Sequence, residues 1–172
     1  MRLGTSRFVL TGAAIIGALT LVLQARAEDT DRAALAAALK NAPTTLEQGL
    51  RASEKTGNPI SAKFEIDNGK LQLSIYTTMT NGYTEVIVAP DNGTVRSTEK
   101  ITDADDLKAA TAQEAAMEKA TVSLITATEQ AVRQNAGSRA GSIFPELKNG
   151  QPIATVTLLR GEQFTTVSEK LD

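Results

Sequence analysis

The feature that most constrains the fold is a run of alternating apolar and polar residues interrupted by Asn-Gly pairs. Period two is typical of strands that bury one face. The pairs Asn68 with Gly69 and Asn81 with Gly82 separate the runs. Both central residues of a type I′ turn need positive φ, which Asn tolerates and Gly adopts freely, so these pairs predict tight hairpins and a three-stranded antiparallel meander. The residues predicted to face the core are Ile60, Ala62, Phe64, Ile66, Leu71, Leu73, Ile75, Met79, Val86 and Val88.

A further Asn-Gly pair lies in the stretch Pro90 to Gly93. Proline fixes φ and supplies no N–H to a strand ladder, so this stretch predicts the end of the third strand and a turn. Residues 94–101 then predict a fourth short strand or an extension of the sheet edge.

Helical patterns flank these strands. Residues 28–43 are rich in alanine and end at Pro43, which predicts a leading helix. Residues 44–57 offer a capping box beginning at either Thr44 or Thr45, which predicts a short amphipathic helix.

The helix and strand pattern then restarts after an Ala-, Glu- and Lys-rich connector. Gly150 follows the glycine that closes the second helix by 13 residues, against 12 for Gly69 in the first copy. Arg160 and Gly161 take the place of the second Asn-Gly pair. The sequence therefore predicts an α+β fold of two units, each a helix packed on a three- to four-stranded antiparallel meander. The predicted boundaries are 44–101 for unit 1, 102–120 for a helical connector and 121–172 for unit 2.

The N-terminus has the order of parts of a secretory signal peptide, predicted to cover residues 1–27. Arg2 and Arg7 precede the uncharged run 8–23, and Ala25 and Ala27 form the small-x-small pattern read by signal peptidase. The alternative is an uncleaved anchor, although this run is shorter than the roughly 17–25 residues that span a bilayer. We expect a periplasmic or secreted protein with no stable membrane anchor after cleavage.

The charge balance bears on the class of partner. Cleavage would remove three arginines and leave 15 basic against 20 acidic residues. A mildly acidic surface without a basic patch gains no counterion release from nucleic acid and no attraction to anionic lipid. We therefore expect neither of these partners.

Catalytic and metal-binding residue types are scarce. The chain contains no His and no Cys, which excludes Ser-His-Asp and Cys-His catalysis, disulfides and thiolate metal sites. The acidic cluster Asp103, Asp105 and Asp106 lies at the predicted start of the connector helix, where acids complement the helix dipole. It lacks the spacing of a helix-loop-helix calcium site. We predict no enzyme activity, no metal site and no cofactor.

Tyr76 and Tyr83 are the candidate binding residues. Both are out of phase with the apolar positions of their strands, so they belong to the face opposite the core. The alternative is that they cover this outer face or pack against the second unit.

The order of helix, glycine, strand, glycine turn, strand, glycine turn, strand and Pro-x-x-Gly turn resembles the PepSY domain family. The matching residues are 46–57, 64–76 and 86–95 in the first copy and 123–137 in the second. Ala89 stands where the family usually has Asp, and the second copy lacks the terminal turn. The resemblance implies a small extracytoplasmic α+β fold that binds or inhibits peptidases.

These observations predict a non-enzymatic exported protein-binding module, whose partner is another exported protein. Inhibition or modulation of a peptidase is the specific form that the resemblance implies. The alternative is a structural or accessory envelope protein with a small-ligand groove between the two units. A groove between two sheets would favour the alternative, and an exposed edge strand would favour protein binding.

Overall fold

The structure is a computed structural model that describes residues 31–172. The predicted signal peptide 1–27, its cleavage residues Ala25 and Ala27, and the first residues of the predicted leading helix lie outside the described residues.

Within residues 31–172 the chain forms four helices and seven strands. They are α1 (31–40), α2 (Leu46–Ser53), β1 (Asn58–Asp67), β2 (Lys70–Met79), β3 (Gly82–Val88), β4 (Val95–Lys100), α3 (Ala104–Met117), α4 (Leu124–Gln134), β5 (Arg139–Lys148), β6 (Gln151–Arg160) and β7 (Gln163–Lys170). The predicted α+β class is confirmed.

All seven strands belong to one antiparallel sheet, in the order β4-β3-β2-β1-β5-β6-β7. The expectation of separate sheets of three to four strands is therefore not met. The reason is that β1 pairs with β5, and these are the first strands after α2 and α4. Ala62 faces Ile143 and Lys63 faces Ser142 across this junction.

The Asn-Gly pairs at the β1–β2 and β5–β6 hairpins form the predicted turns. Asn68 and Gly69 have φ of 47° and 75°, and Asn149 and Gly150 have φ of 53° and 81°. Two successive positive φ angles match the twist of the flanking strands, as type I′ turns do. These turns fix the register of the two hairpins.

The hairpin between β2 and β3 forms as predicted, but its turn is not type I′. Its two-residue loop is Thr80 with Asn81, and only Gly82, already paired with Met79, takes a positive φ. Met79, predicted to face the core, is 50% exposed because it is the last residue of β2 beside this loop.

Helices α2 and α4 lie side by side on one face of the sheet. Gly49 of α2 lies so close to this face that an added Cβ would approach Leu73 Cδ2 to 2.4 Å. Arg51 of α2 pairs with Glu129 of α4 at 2.7 Å. This helix layer and the sheet share a core that includes Leu39, Leu46, Leu50, Ala62, Phe64, Leu73, Ile75, Val86, Val88, Leu124, Ala127, Ala131, Ile143, Val156 and Leu158.

Helix α3 lies on the opposite face, where it contacts β5, β1 and β6. The Ser61 hydroxyl donates a hydrogen bond to Gln113 of this helix at 2.8 Å. The central strands of the sheet therefore lie between two helical layers, and the face under α3 is the more polar one.

Arg139 of β5 fastens the N-terminal segment to the sheet. Its guanidinium donates hydrogen bonds to the carbonyl oxygens of Leu39, Ala42 and Thr44, the last two at 2.9 Å. It also lies 5.7 Å from the centroid of the Phe64 ring. Because the last carbonyls of a helix have no partner within the helix, this side chain satisfies the C-terminal end of α1.

Shortening the buried side chain at the β1–β5 junction should destabilise the whole chain. Ile143→Ala should lower the free energy of unfolding by about 2–5 kcal/mol, because it leaves a cavity beside fully buried Ala62. The matched control is Ile153→Ala on β6, where the half-buried side chain should cost roughly 1–2 kcal/mol. Urea unfolding measures both, and equal losses would contradict a special role for the junction.

Removing the guanidinium of Arg139 should loosen α1. Arg139→Met should cost about 2–4 kcal/mol, since hydrogen bonds from charged groups contribute about 1.5–3 kcal/mol each and are not additive. The control Lys40→Met removes an exposed ion pair with Glu162 and should cost less than about 1 kcal/mol. Hydrogen exchange of the α1 amides should accelerate only in the Arg139 variant. Unchanged exchange in that variant would refute the assignment.

Candidate binding surface

Tyr76 and Tyr83 lie on the same face of the sheet, as their phase predicted. Tyr76 is opposite Glu85 and Tyr83 is opposite Thr78, so the two rings are diagonal neighbours on β2 and β3. This is the face that α3 crosses.

Tyr83 attaches α3 to the sheet. Its hydroxyl donates a hydrogen bond to Glu114 and lies 3.3 Å from Thr111 Oγ1. The hydrogen bond to Glu114 raises the pKa of the Tyr83 phenol. Two roles were open for Tyr83: a free binding residue, or a residue that packs on the outer face of the sheet. Its contacts with α3 fit the second role better.

Tyr76 belongs to a polar cluster formed by Lys63, Glu65, Ser74, Tyr76 and Glu85. Lys63 Nζ lies 2.7 Å from Glu65 Oε2 and 6.0 Å from the Tyr76 ring centroid. The fully buried Ser74 donates its hydroxyl to Glu65 at 2.8 Å. The Glu65 carboxylate thus has two partners within the cluster, and the hydroxyl of Ser74 is not presented to solvent.

Burial shifts the pKa of two members of the polar cluster. Burial raises the pKa of the Glu85 carboxyl, and the charges of Glu65 and Glu99 add to this shift. Burial also raises the pKa of the Tyr76 phenol, and the charge of Glu85 adds to that effect. Tyr76 therefore remains a neutral phenol at physiological pH.

Of the acidic residues predicted at the start of the connector helix, Asp103 caps α3, and Asp105 and Asp106 lie in its first turn. The Asp103 carboxylate accepts hydrogen bonds from the N–H groups of Asp105 at 2.9 Å and Asp106 at 3.3 Å. Among residues 31–172, no three acidic side chains come together in an arrangement suited to a metal ion.

The most open backbone in the described chain is β4. Every one of its six residues is exposed, and none of the other described strands pairs with its outer side. Its inner side pairs with β3, with a register shift between Ile87 and Val88. We call this strand and its unpaired side the β4 edge. The sequence predicted a fourth strand here, but its position at the edge follows from the sheet order.

Two surface recesses accompany these features. The larger, of about 550 Å³, is lined by residues of α1 and of the β6–β7 hairpin, among them Arg32 and Phe164. The smaller, of about 330 Å³, lies beside the β1–β2 turn and includes Arg96. Neither lies between the two meanders, which form one continuous sheet.

Comparisons with protein-family models, with curated proteins and with solved structures find no match for this chain.

Across residues 31–172 no helix is both long and apolar enough to cross a lipid bilayer.

The raised pKa of Glu85 predicts a pH-dependent effect on stability. A carboxyl whose pKa is higher in the folded than in the unfolded state lowers stability when it ionises. This cost is absent below the unfolded pKa near 4.3, grows between the unfolded and the folded pKa, and is complete above the folded pKa. Glu85→Gln should therefore be more stable than the wild type at pH 7, and the difference should vanish towards pH 4. Urea unfolding across this range measures it, with the exposed Glu146→Gln as control. A Gln variant less stable than wild type at pH 7 would contradict the inference.

Proposed function

We propose that this chain is a non-enzymatic exported protein-binding module, and that it binds an extended segment of a partner along the β4 edge. The observation that carries this proposal is the exposure of all six residues of β4 on both faces of the sheet. An exposed edge strand offers unpaired N–H and C=O groups to another chain.

The proposed binding mode is the addition of a strand to the sheet. Main-chain hydrogen bonds to such an edge provide affinity, and alternate side chains on the two faces provide selectivity. β4 is long enough for this, since its six residues match the usual length of a strand.

The repeated order of helix and meander supports the proposal that the chain is a tandem of two PepSY-like units. In the first, the terminal turn is held against the start of α2: Thr44 donates its backbone N–H to Pro90 O and its hydroxyl to Ala89 O, both at 3.2 Å. Ala89 is buried and donates its own N–H to Thr94 O at 2.8 Å. Backbone groups thus hold the turn at the position where the family usually has Asp.

The partner in this proposal is another exported protein, encountered in the periplasm or after secretion. A peptidase is the specific candidate, because the PepSY family is associated with peptidase propeptides. A peptidase cleft binds extended segments, and the β4 edge would present or accept such a segment.

The alternative, an envelope protein with a small-ligand groove between the two units, has less support. The two units share one sheet, and the larger recess lies instead beside α1 and the β6–β7 hairpin.

A pair of proline variants separates binding from folding. Along an edge strand, successive N–H groups point alternately towards the neighbouring strand and away from the sheet. Ser97→Pro and Thr98→Pro are neighbours, so one of them removes a hydrogen bond to β3 and the other removes a donor that points outward. The inward variant should be the less stable of the two, which thermal unfolding reveals. The outward variant should remain folded and lose the partner.

Photo-crosslinking in an extract of exported proteins detects whether a partner contacts β4. A crosslinking residue at Val95, 42% exposed, should give a discrete adduct, and one at Leu147, 38% exposed on another hairpin, should not. The adduct should disappear in the folded proline variant. Equal adducts from both positions, or an adduct that survives the outward proline, would overturn the proposal.

A further inference from the structure

Every strand pair of the sheet is antiparallel. We infer that the partner segment of the β4 edge continues this pattern by running antiparallel to β4, and that it places an acidic residue opposite Lys100, followed directly by a basic residue opposite Glu99. This inference deepens the proposed function and rests on it. Its source is the arrangement of the charges along β4 together with the register shift at Arg96, which disfavour a second copy of this chain and leave two charges to be matched.

Pairing of β4 with its own copy is disfavoured by its charges. If two copies paired through β4, a two-fold axis would relate the two antiparallel strands. Residues directly opposite each other in such a pair project to the same side of the sheet, so the axis must place one residue opposite its own equivalent in the copy. An axis at Thr98 brings Arg96 opposite Lys100 of the copy, and an axis at Glu99 brings two glutamates together. Like charges directly opposite each other destabilise a ladder.

An axis at Ser97 avoids these like charges, but it centres the pairing on an irregular stretch. The register of β4 against β3 shifts here, because Ile87 pairs with Ser97 and Val88 pairs with Val95, leaving Arg96 without an opposite residue. A bulge disrupts the ladder locally and twists the edge away, which protects it from self-pairing. The occupant is therefore a different chain.

Two of the three charges on β4 are unmatched. Arg96 is already paired with Asp91 at 3.0 Å, on the turn that precedes the strand. Glu99 and Lys100 form no ion pair within the described residues. These two neighbours project to opposite faces of the sheet, so an added strand meets one on each face.

Glu99 has a specific need for a basic partner. It faces Glu85 directly across the ladder, and its charge adds to the raised pKa of that carboxyl. Glu65 lies on β1, two strands from Glu85, and its charge also raises the pKa of the Glu85 carboxyl. A basic residue opposite Glu99 on a new strand would relieve the repulsion between these carboxylates.

Lys100 sets the second requirement, on the face of the sheet that α2 and α4 cover. It pairs with Thr84, a neutral residue, so its ammonium group is not neutralised across the ladder. Read from the N-terminus, an antiparallel partner therefore presents an acid opposite Lys100, a base opposite Glu99, and then uncharged residues opposite Thr98 and Ser97. β-branched residues suit these last two positions.

Synthetic peptides test this order of charges. The probe is an eight-residue threonine and valine peptide with glutamate at its third and lysine at its fourth position, and its control has these two residues exchanged. Titration followed by amide chemical shifts should perturb residues 95–100, with the probe binding about fivefold more tightly than the control. The double variant Glu99→Lys with Lys100→Glu should reverse the preference. Its fold is checked by the unchanged amide spectrum of β5 to β7.

The outcomes separate this inference from the proposed function. Equal affinities for the two peptides, or a preference that the double variant does not reverse, overturn the charge order. If neither peptide perturbs β4 while crosslinking from Val95 persists in the extract, the order of charges is wrong and β4 binding stands. If crosslinking is also lost, both fail. A β4 dimer in sedimentation experiments would overturn the exclusion of a second copy.

Discussion

The pairing of β1 with β5 is the contact on which the rest of the structure depends. It joins two meanders into one sheet, brings α2 beside α4, and gives α3 a continuous surface to cross. The junction has only two residue pairs, against nine in each flanking hairpin. Backbone pairing alone therefore contributes little to the stability of this junction. The apolar pair of Ala62 and Ile143, the helices α2 and α4 on one face and the hydrogen bond from Ser61 to α3 on the other add to it.

The local features of this fold could be predicted from the sequence, because they depend on residues close together in the chain. Alternation and Asn-Gly pairs locate the hairpins, and Asn68 and Asn149 adopt the positive φ that their turns need. The β1–β5 pairing could not be predicted, since Ala62 and Ile143 are about 80 residues apart and no local pattern marks their register. The phase of Tyr76 and Tyr83 gave their face of the sheet, but the Glu114 partner of Tyr83 depends on where α3 crosses. The openness of β4 likewise follows from strand order.

The polar face under α3 links stability to binding. Glu65 on β1, Glu85 on β3 and Glu99 on β4 project to this face, and Glu85 lies directly opposite Glu99. Lys63 offsets part of their charge, through its bond to Glu65 and its effect on Glu85. The charges of Glu65 and Glu99 raise the pKa of the Glu85 carboxyl, so these carboxylates repel one another near an open edge. The charges of the edge disfavour pairing with chains of the wrong charge, as on charged edge strands generally. In the proposed binding mode, the charges that protect the edge from aggregation also select the partner.

The two edges of the sheet are not equivalent, and this asymmetry decides where a partner would add. The residue after β7 is fixed by contacts with the rest of the fold. Leu171 is buried, donates its N–H to the carbonyl oxygen of Pro152 and accepts hydrogen bonds from the N–H groups of Thr121 and Val122. At the other end α1 reaches the β6–β7 hairpin, where Arg32 lies 5.2 Å from the Phe164 ring. Ile101 just beyond β4 is also buried and donates its N–H to Tyr83 O at 3.0 Å, but all six residues of β4 itself are exposed. In β7, by contrast, Phe164, Val167 and Glu169 are buried or partly buried. In the proposed binding mode a strand therefore adds more readily at β4.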